Sequence, residues 1–430
     1  MRNSSIPVLQ SRFPVLPFHF ALAGYVPAAL DCGYKVAMTT TDHLEAFRQD
    51  LRSWLAANLP GDLRPERAAE LSETERIARL RSWQKKLAEA RWVGITWPEE
   101  YGGRGASIPE QIVYTQEMAR AGAPEVVGSL GIGIAGPPLI AYGTEAQKQR
   151  FAKRILSAED LWCFGFSEPG AGSDLASLRT TAILDGDHFI VNGQKVWTTL
   201  AHHADWCMLL CRTDPESKRR QGISCLLVDM KSPGVSVRQL RQMGGMAEFN
   251  EVFFEDVRVS RDNLLGELHG GWQIATAALQ NERGILYVVE MQILLARARD
   301  GLMQLARQRG VASNRLLRQQ LADVYLGVET FRNTCQRTLD KLLRMGMPGP
   351  EASIIKLHWT ELTQMMPRIG MSILGTDCLR YHTPLPHERV RQEEMIQSAF
   401  LQAPAASIAS GTSEIMRGII AMQVLGLPRG

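Results

Sequence analysis

Residues 166–199, FSEPGAGSDLASLRTTAILDGDHFIVNGQKVWTT, decide the fold of this chain. The stretch opens with a Ser-Glu-Pro turn and a Gly-Ala-Gly-Ser loop, and it continues into a β-rich segment. Gly170 and Gly172 allow the backbone to turn tightly and to approach a flat ligand closely, because neither residue carries a Cβ. The stretch therefore predicts a tight turn that leads into β structure.

The side chains of this stretch favour binding of an uncharged heteroaromatic ring. Ser167, Ser173, Thr198 and Thr199 carry neutral hydroxyls that donate and accept hydrogen bonds. Trp197 adds a large aromatic face. A flavin has such a ring with a hydrogen-bonding edge, although a Gly-rich hairpin with a core Trp would have the same composition.

The hydrophobic period divides the chain into three predicted domains. Residues 38–160 repeat apolar positions at spacings of three and four, as amphipathic helices do. Residues 161–267 change to a period of two, and residues 268–430 return to helical spacing. We therefore predict an α+β multidomain chain: an N-terminal α-helical domain, a middle β-barrel or β-sandwich domain, and a C-terminal four-helix bundle. The predicted bundle segments are 277–309, 316–345, 350–374 and 413–425.

Length and composition are those of an ordinary globular protein. The 430 residues suffice for two or three domains, with 45% hydrophobic and 22% charged residues. A net charge of +3, with basic and acidic residues interleaved, argues against nucleic-acid binding. Seven cysteines without a Cys-x-x-Cys pair favour reduced thiols and a cytoplasmic location.

The first 37 residues differ from the remainder. We expect them to be an extension before a natural start at Met38, because the following Thr-Thr-Asp resembles a helix N-cap. Prolines interrupt the apolar part and would break a continuous amphipathic helix. A signal or transit peptide stays an alternative, because basic residues precede small ones in this segment. No apolar run reaches the roughly 18 residues needed to cross a bilayer.

Two apparent motifs have simpler interpretations. Residues 131–136, GIGIAG, match a dinucleotide fingerprint, but no strand pattern precedes them and two prolines follow, so we expect a helix-packing loop. His202 and His203 resemble part of a metal site. Adjacent residues on a strand point to opposite faces, and regularly spaced Cys or carboxylate ligands are missing. We therefore expect no metal.

Glu282 is the sharpest catalytic candidate. Ala278, Ile285 and Leu286 share its helical face, which is therefore apolar. A carboxylate on such a face is desolvated, so its pKa rises from about 4.3 and the group becomes a fitting general base. The alternative is a solvated charge pair of Glu282 with Arg283.

Several motifs together resemble the acyl-CoA dehydrogenase family. They are EPGAGSDLASLRT and VNGQKVWTT in the opening stretch, WPEEYGG at 97–103, NERG at 281–284, and SGTSEIMRGIIAMQVLGLP at 410–428. The resemblance covers nearly everything from about Met38 onward. It implies that family's helical, β and helical domains, FAD as the cofactor, and a place in fatty-acid or lipid catabolism.

The resemblance implies α,β-dehydrogenation of an acyl-CoA thioester to a trans-2-enoyl-CoA. The family places its catalytic glutamate either on the first helix of the C-terminal domain or just before the Gly-Thr of the C-terminal motif. These positions are Glu282 and Ser410 here, and a serine cannot serve as that base unaided. Glu282 would therefore remove the α-proton while the β-hydrogen leaves as hydride to flavin N5. The backbone N–H of Ser410 would donate to the thioester carbonyl oxygen.

The remaining site residues are implied by the same resemblance. Ser173 would contact the thioester or pantetheine arm, and Arg283 would orient the base or the substrate. Arg307 would reach the FAD pyrophosphate of a neighbouring subunit. The residues expected to bind FAD are Phe164, Ser167, Trp197, Thr199, Arg307, Thr412 and Glu414.

Two alternatives on the same fold stay open. One is an acyl-CoA oxidase or flavin monooxygenase, in which reduced flavin meets oxygen. The other is a flavin-poor partner subunit of a heterotetramer, suggested by Ser410 and by ILGT at 373–376, where the family has a Gln-rich Gly-Gly turn. Glu282 and the complete EPGAGSD loop argue against this second alternative.

Expected partners are an acyl-CoA, an electron acceptor such as electron-transfer flavoprotein, and further copies in a homodimer or homotetramer. The nature of the acyl group is not predicted.

Overall fold

The computed structural model describes residues 42–63, 71–281, 285–345, 349–379 and 392–428. The predicted extension, residues 1–37, lies outside the described residues. So do Glu282 and Arg283, the two residues of the predicted base region.

The first region is helical, as predicted. Three of its helices begin with a capping box, in which Ser72, Ser107 or Thr144 exchanges hydrogen bonds with the residue three positions later. Its described α-helices are α1 Asp42–Asn58, α2 Glu73–Glu89, α3 Ile108–Ala121, α4 Gly136–Tyr142 and α5 Glu145–Leu156.

The GIGIAG motif lies within this helical region and is not a loop. Gly131–Ala135 form a π-helical turn that continues directly into α4. A Cβ on Gly136 would overlap the indole ring of Trp97, so this glycine allows close helix packing. The predicted packing role therefore stands, while the predicted loop conformation was wrong.

The middle region forms an eight-stranded sheet. Its strands are β1 Trp162–Gly165, β2 Thr181–Asp185, β3 His188–Thr199, β4 Trp206–Arg212, β5 Ile223–Asp229, β6 Val235–Leu240, β7 Phe249–Ser260 and β8 Leu264–Leu265. They run in the order β6-β7-β3-β2-β4-β5-β8, and β1 pairs in parallel with β4.

Strand β4 is buried on both faces. Met208 and Leu210 point into a core shared with the N-terminal helices, which we call the first core. Leu209 and Cys211 point into a second core that is filled by residues of β3, β5 and β7, which we call the inner core. The sheet therefore encloses the inner core and packs its outer face on helices, as a barrel or sandwich does.

The C-terminal region is helical again. Its described helices are α6 Gly271–Asn281, α7 Ile285–Gln308, α8 Arg315–Met345, α9 Ala352–Leu374, α10 Gln392–Ala406 and α11 Ser413–Ile419. Helices α7 to α10 pack as a four-helix bundle, and α11 packs on α9. Helix α10 was not predicted. The predicted bundle segment 413–425 is a short helix followed by a π-helical turn at Ile420–Val424.

The first core joins all three regions of the chain. It includes Phe47 on α1, Trp83 on α2, Phe151 on α5, Leu210 on β4 and Ala278 on α6. Helix gives way to strand after Leu156 and returns after Leu265, while the predicted domain limits at 160 and 267 stay a prediction. Within the described ranges, no helix has the length and apolar character to cross a membrane. Six described cysteines are free thiols.

Candidate active site

The Ser-Glu-Pro segment closes a tight turn. The backbone N–H groups of Glu168 and Ala171 each donate to the other residue's carbonyl oxygen at 3.0 Å. Gly170 and Gly172 are exposed and have no positive φ, and a Cβ on either would meet no protein atom within 4 Å. Packing within the chain therefore does not require these glycines. The open space beside them is consistent with the predicted close approach of a flat ligand.

A buried ion pair holds this turn against β3. The Lys195 ammonium donates to Glu168 Oε1 at 2.8 Å and to the Phe166 carbonyl oxygen at 3.1 Å, and Lys195 is fully buried. The other carboxylate contacts come from the backbone N–H groups of Arg179 at 2.6 Å and Thr180 at 2.9 Å. Burial alone would raise the pKa of Glu168, but the ammonium and these donors hold that pKa below its ordinary value.

Trp197 occupies a strained position at the end of β3. The pairing of β3 with β7 shifts register between Lys195 and Thr198, as in a β-bulge. Trp197 has φ +60 and is 58% exposed, with its ring edge-on to Phe249 at 6.0 Å. Left-handed backbone is costly for a bulky residue and is found mainly at functional sites. The bulge therefore presents an aromatic face to the exterior.

The other predicted ring-binding residues lie around this bulge. The backbone N–H of Val196, beside Trp197, donates to the Ser167 carbonyl oxygen at 2.9 Å, which joins the turn to β3. Phe164 lies on β1, half-buried, and Thr199 ends β3, also half-buried. The hydroxyl of Thr198 is buried and has no hydrogen-bond partner among the described residues, so it is available to a ligand or a water.

The C-terminal motif forms a second, separate group. Ser410 and Gly411 both have positive φ, +56 and +95, which produces a sharp turn before α11. Thr412 caps that helix, because its hydroxyl accepts from the Ile415 N–H at 3.2 Å. Glu414 is exposed on the first turn of α11.

Two further predicted residues lie on the surface. Ser173 is exposed in the loop that follows the tight turn. Arg307 is exposed at the end of α7, where it lines a groove of about 460 Å³ together with Tyr325 and Leu326 of α8. This groove is lined by the C-terminal region and not by the turn or the bulge.

Three partly or fully buried carboxyl groups were missed by sequence reasoning. Burial raises the pKa of Glu125, Glu248 and Glu290 to about 7 each. Charges on Glu248 and Glu290 add to this effect at Glu125, while the Arg76 guanidinium opposes it. Glu290 stands in the apolar run LYVVEMQILL, so the argument that singled out Glu282 applied to it equally. Carboxyls with such pKa values are candidates for a functional site.

The two adjacent histidines are not on a strand. Strand β3 ends at Thr199, and His202 and His203 lie in the turn that follows, with ring centroids 4.1 Å apart. Both Nε2 atoms approach Glu73 Oε1, at 3.4 and 3.0 Å. The premise that the imidazoles point to opposite faces was therefore wrong.

A helical region, a β region and a C-terminal four-helix bundle, in this order, define the acyl-CoA dehydrogenase fold. The three domain models of that family match the chain in sequence: the N-terminal domain at residues 41–159, the middle domain at 163–257 and the C-terminal domain at 269–425. The chain belongs to the acyl-CoA dehydrogenase family. It is an oxidoreductase that acts on acyl-CoA, in a flavoprotein family of lipid catabolism, as the sequence predicted.

Similar proteins extend over nearly the whole chain. Acyl-CoA dehydrogenase IpdE1 of Mycobacterium tuberculosis is 40% identical, covering 90% of this chain and 98% of its own length. A solved structure of the Tcur3481-Tcur3483 steroid ACAD is 33% identical with a TM-score of 0.77, covering 91% of this chain and 99% of that one. A chain in the crystal structure of the ChsE4-ChsE5 complex from Mycobacterium tuberculosis is 30% identical with a TM-score of 0.74. That match covers 91% of this chain and 100% of the other.

Replacing Lys195 by Met tests the buried ion pair. We expect a loss of about 3–5 kcal/mol in the free energy of unfolding, because Glu168 would keep a buried charge without its cation. Urea unfolding measures this loss. The matched control is Lys231→Met, which removes an exposed lysine from a carboxylate at 3.0 Å and should cost far less, since water screens that pair. Equal losses in the two variants would contradict the proposed importance of burial.

Replacing Glu290 by Gln tests the raised pKa. The folded protein holds this proton up to about pH 7, whereas an unfolded chain releases it near pH 4.5, so wild-type stability falls between these values. The amide mimics the neutral acid and should stabilise the protein at pH 8 by on the order of 1–3 kcal/mol, with no gain at pH 4.5. Thermal unfolding at several pH values measures the difference. Glu89→Gln, at an exposed position, should show no such trend, and a pH-independent effect at Glu290 would refute the assignment.

Proposed function

We propose that this protein is an FAD-dependent dehydrogenase that converts an acyl-CoA thioester to its trans-2-enoyl-CoA, with Glu282 as the base. The observation that carries the proposal is the strained, exposed Trp197 beside the closed Glu168–Ala171 turn. A folded chain gains nothing by holding a large aromatic side chain in left-handed backbone and in water. A flat ligand against that face would account for both features.

The residues present fit a flavin. Trp197 offers a face, and Ser167 and Thr199 are half-buried hydroxyl residues beside it. The buried Thr198 hydroxyl lacks a described partner, and the space beside Gly170 is open. We assign Phe164, Ser167, Trp197 and Thr199 to the ring, and Thr412 and Glu414 to the remainder of FAD. When bound, the flavin would supply the acceptor for the hydride.

The proton chemistry is assigned to Glu282 and to the turn before α11. In the sequence, Ala278, Ile285 and Leu286 stand at helical spacing from Glu282, and a carboxylate that such apolar neighbours desolvate can act as general base. The backbone N–H of Ser410 is proposed to bind the thioester carbonyl and to stabilise the enolate-like charge. Ser173 and Arg283 are proposed to position the CoA arm and the base.

The acyl group and the partners are proposed from the relatives and from one surface. The solved relative named as a steroid ACAD supports a bulky, ring-containing acyl group, and the ChsE4-ChsE5 complex supports pairing with a second chain. Leu316, Tyr325 and Leu326 are apolar and at least half exposed on α8, beside the groove that contains Arg307. Such a surface fits a subunit interface, with Arg307 reaching the FAD of the neighbouring subunit. Electron-transfer flavoprotein is the proposed electron acceptor.

Replacing Glu282 by Gln tests the assignment of the base. We expect normal FAD content and a turnover lower by about 10²–10⁴ or more, since a positioned base contributes that much. Anaerobic stopped-flow bleaching of the flavin by ring-containing and straight-chain acyl-CoAs measures the reductive step. Glu267→Gln, at an exposed position in the same part of the chain, should bleach like wild type. Near-normal bleaching in Glu282→Gln would show that the base lies elsewhere.

The same experiment separates the alternatives. Rapid reoxidation of the bleached wild-type flavin by air alone would identify an oxidase and not a dehydrogenase. A purified chain without bound flavin would favour a partner subunit.

Replacing Trp197 by Gly separates the backbone strain from ligand binding. Glycine adopts φ +60 freely, so folding stability should be unchanged or raised by up to about 1 kcal/mol. FAD affinity should fall about tenfold, because an aromatic contact of that size is lost. Fluorescence titration of the flavin-free protein measures the affinity. The control, Arg219→Gly, relieves another left-handed φ, of +56, and should leave FAD affinity unchanged. If Trp197→Gly also left FAD affinity unchanged, Trp197 would not contact the flavin.

A further inference from the structure

Three side chains converge where the N-terminal helices meet the β domain. Glu73 is the first residue of α2, and His202 and His203 lie in the turn after β3. One ligand-type atom from each residue lies within 4.8 Å of the others. None of the three residues has a role in the proposed reaction, so the cluster requires a separate explanation.

Neighbouring hydrogen bonds fix the protonation pattern of His202. The buried Asn250 donates through Nδ2 to the carbonyl oxygens of Thr198 at 2.9 Å and Glu248 at 3.1 Å, so its Oδ1 is the atom that faces His202 Nδ1, at 3.0 Å. An amide oxygen only accepts, and Nδ1 must therefore carry the hydrogen. In the neutral imidazole, the lone pair of His202 Nε2 is then directed at the Glu73 carboxylate, 3.4 Å away.

Two electron-rich atoms in such an arrangement require a cation between them. A proton on His202 is one possibility, and a metal ion is the other. An imidazole whose second nitrogen donates to a fixed amide or carbonyl oxygen is the usual arrangement at metal sites, because that bond sets the tautomer and the ring orientation. His203 Nε2 approaches the same carboxylate oxygen at 3.0 Å and supplies a third ligand.

The distances from the two imidazoles to the carboxylate fit a metal ion between them. Bonds of about 2.0–2.1 Å place neighbouring ligand atoms roughly 2.8–3.4 Å apart in octahedral or tetrahedral geometry. The two distances to Glu73 Oε1, 3.0 and 3.4 Å, lie in this range. The side chain of Glu73 is 41% exposed, whereas His202 and His203 are 15% and 21% exposed. An ion could therefore enter from the solvent side and complete its coordination with water.

We propose that Glu73, His202 and His203 bind a divalent first-row transition-metal ion, for which Zn²⁺ is the probe. The ion would join α2 to the turn after β3 and, through Asn250, to the Thr198 carbonyl next to the bulge. It would act as a structural clamp between the two domains and would take no part in the redox chemistry.

Zn²⁺ titration of the flavin-loaded protein, after treatment with a chelator, tests this proposal. Calorimetry should show one site in the wild type, with affinity reduced by more than about tenfold in His203→Gln and in Glu73→Gln. The matched control is His43→Gln, because His43 contacts Glu110 at 3.0 Å without a second histidine; it should bind Zn²⁺ like wild type. Unchanged unfolding temperatures of the variants in chelator show that the fold is intact.

Co²⁺ distinguishes this cluster from the cysteines. The Co²⁺-loaded protein should lack the charge-transfer absorption of a thiolate ligand. The proposal is overturned by thiolate absorption, by the absence of a Zn²⁺ site in wild type, or by equal affinity in wild type and the two ligand variants. Absence of the site would mean that a shared proton alone holds the three side chains together.

Discussion

The buried contact between Lys195 and Glu168 is the interaction on which the rest of the site depends. Glu168 uses both carboxylate oxygens at once, for the ammonium and for two backbone N–H groups of the following segment. The closed turn, the start of β2 and the middle of β3 are thereby fixed to a single side chain. A buried charge without these partners would cost several kcal/mol of folding free energy. Each of the three segments is therefore stable in its position only when the other two are in contact with it. Trp197 then emerges two residues after Lys195, at a defined place beside the turn.

The sequence predicted the fold because each region has one dominant period. The change from helical spacing to alternation and back gave the order of the three regions, and the motifs around the turn gave the family. Helix α10 was missed because its apolar residues form no strong stripe on one face, and such a stripe is the main sequence signal of a helix. The GIGIAG segment was misread because the prolines that follow it suggested a loop, whereas here Gly136 lets a helix pack against Trp97.

The site could be predicted only where its residues are close in sequence. The turn and the bulge lie within 166–199 and share one pattern. The raised pKa of Glu248 depends on burial, which is set by segments distant in sequence. The cluster of Glu73 with His202 and His203 joins residues about 130 positions apart, and its recognition required knowing that β3 ends at Thr199. Glu282 lies outside the described residues, so its role remains a prediction from sequence.

The first core also constrains when the protein can fold on the ribosome. This core includes Phe47 at one end and Ala278 at the other, with β4 between them. The N-terminal helices must therefore wait, with apolar surface uncovered, until the sheet and α6 have been synthesised, which takes on the order of 10–50 s at bacterial and eukaryotic elongation rates. The helical region is thus the first part made and among the last to be completed, which makes the nascent chain a natural client for chaperones.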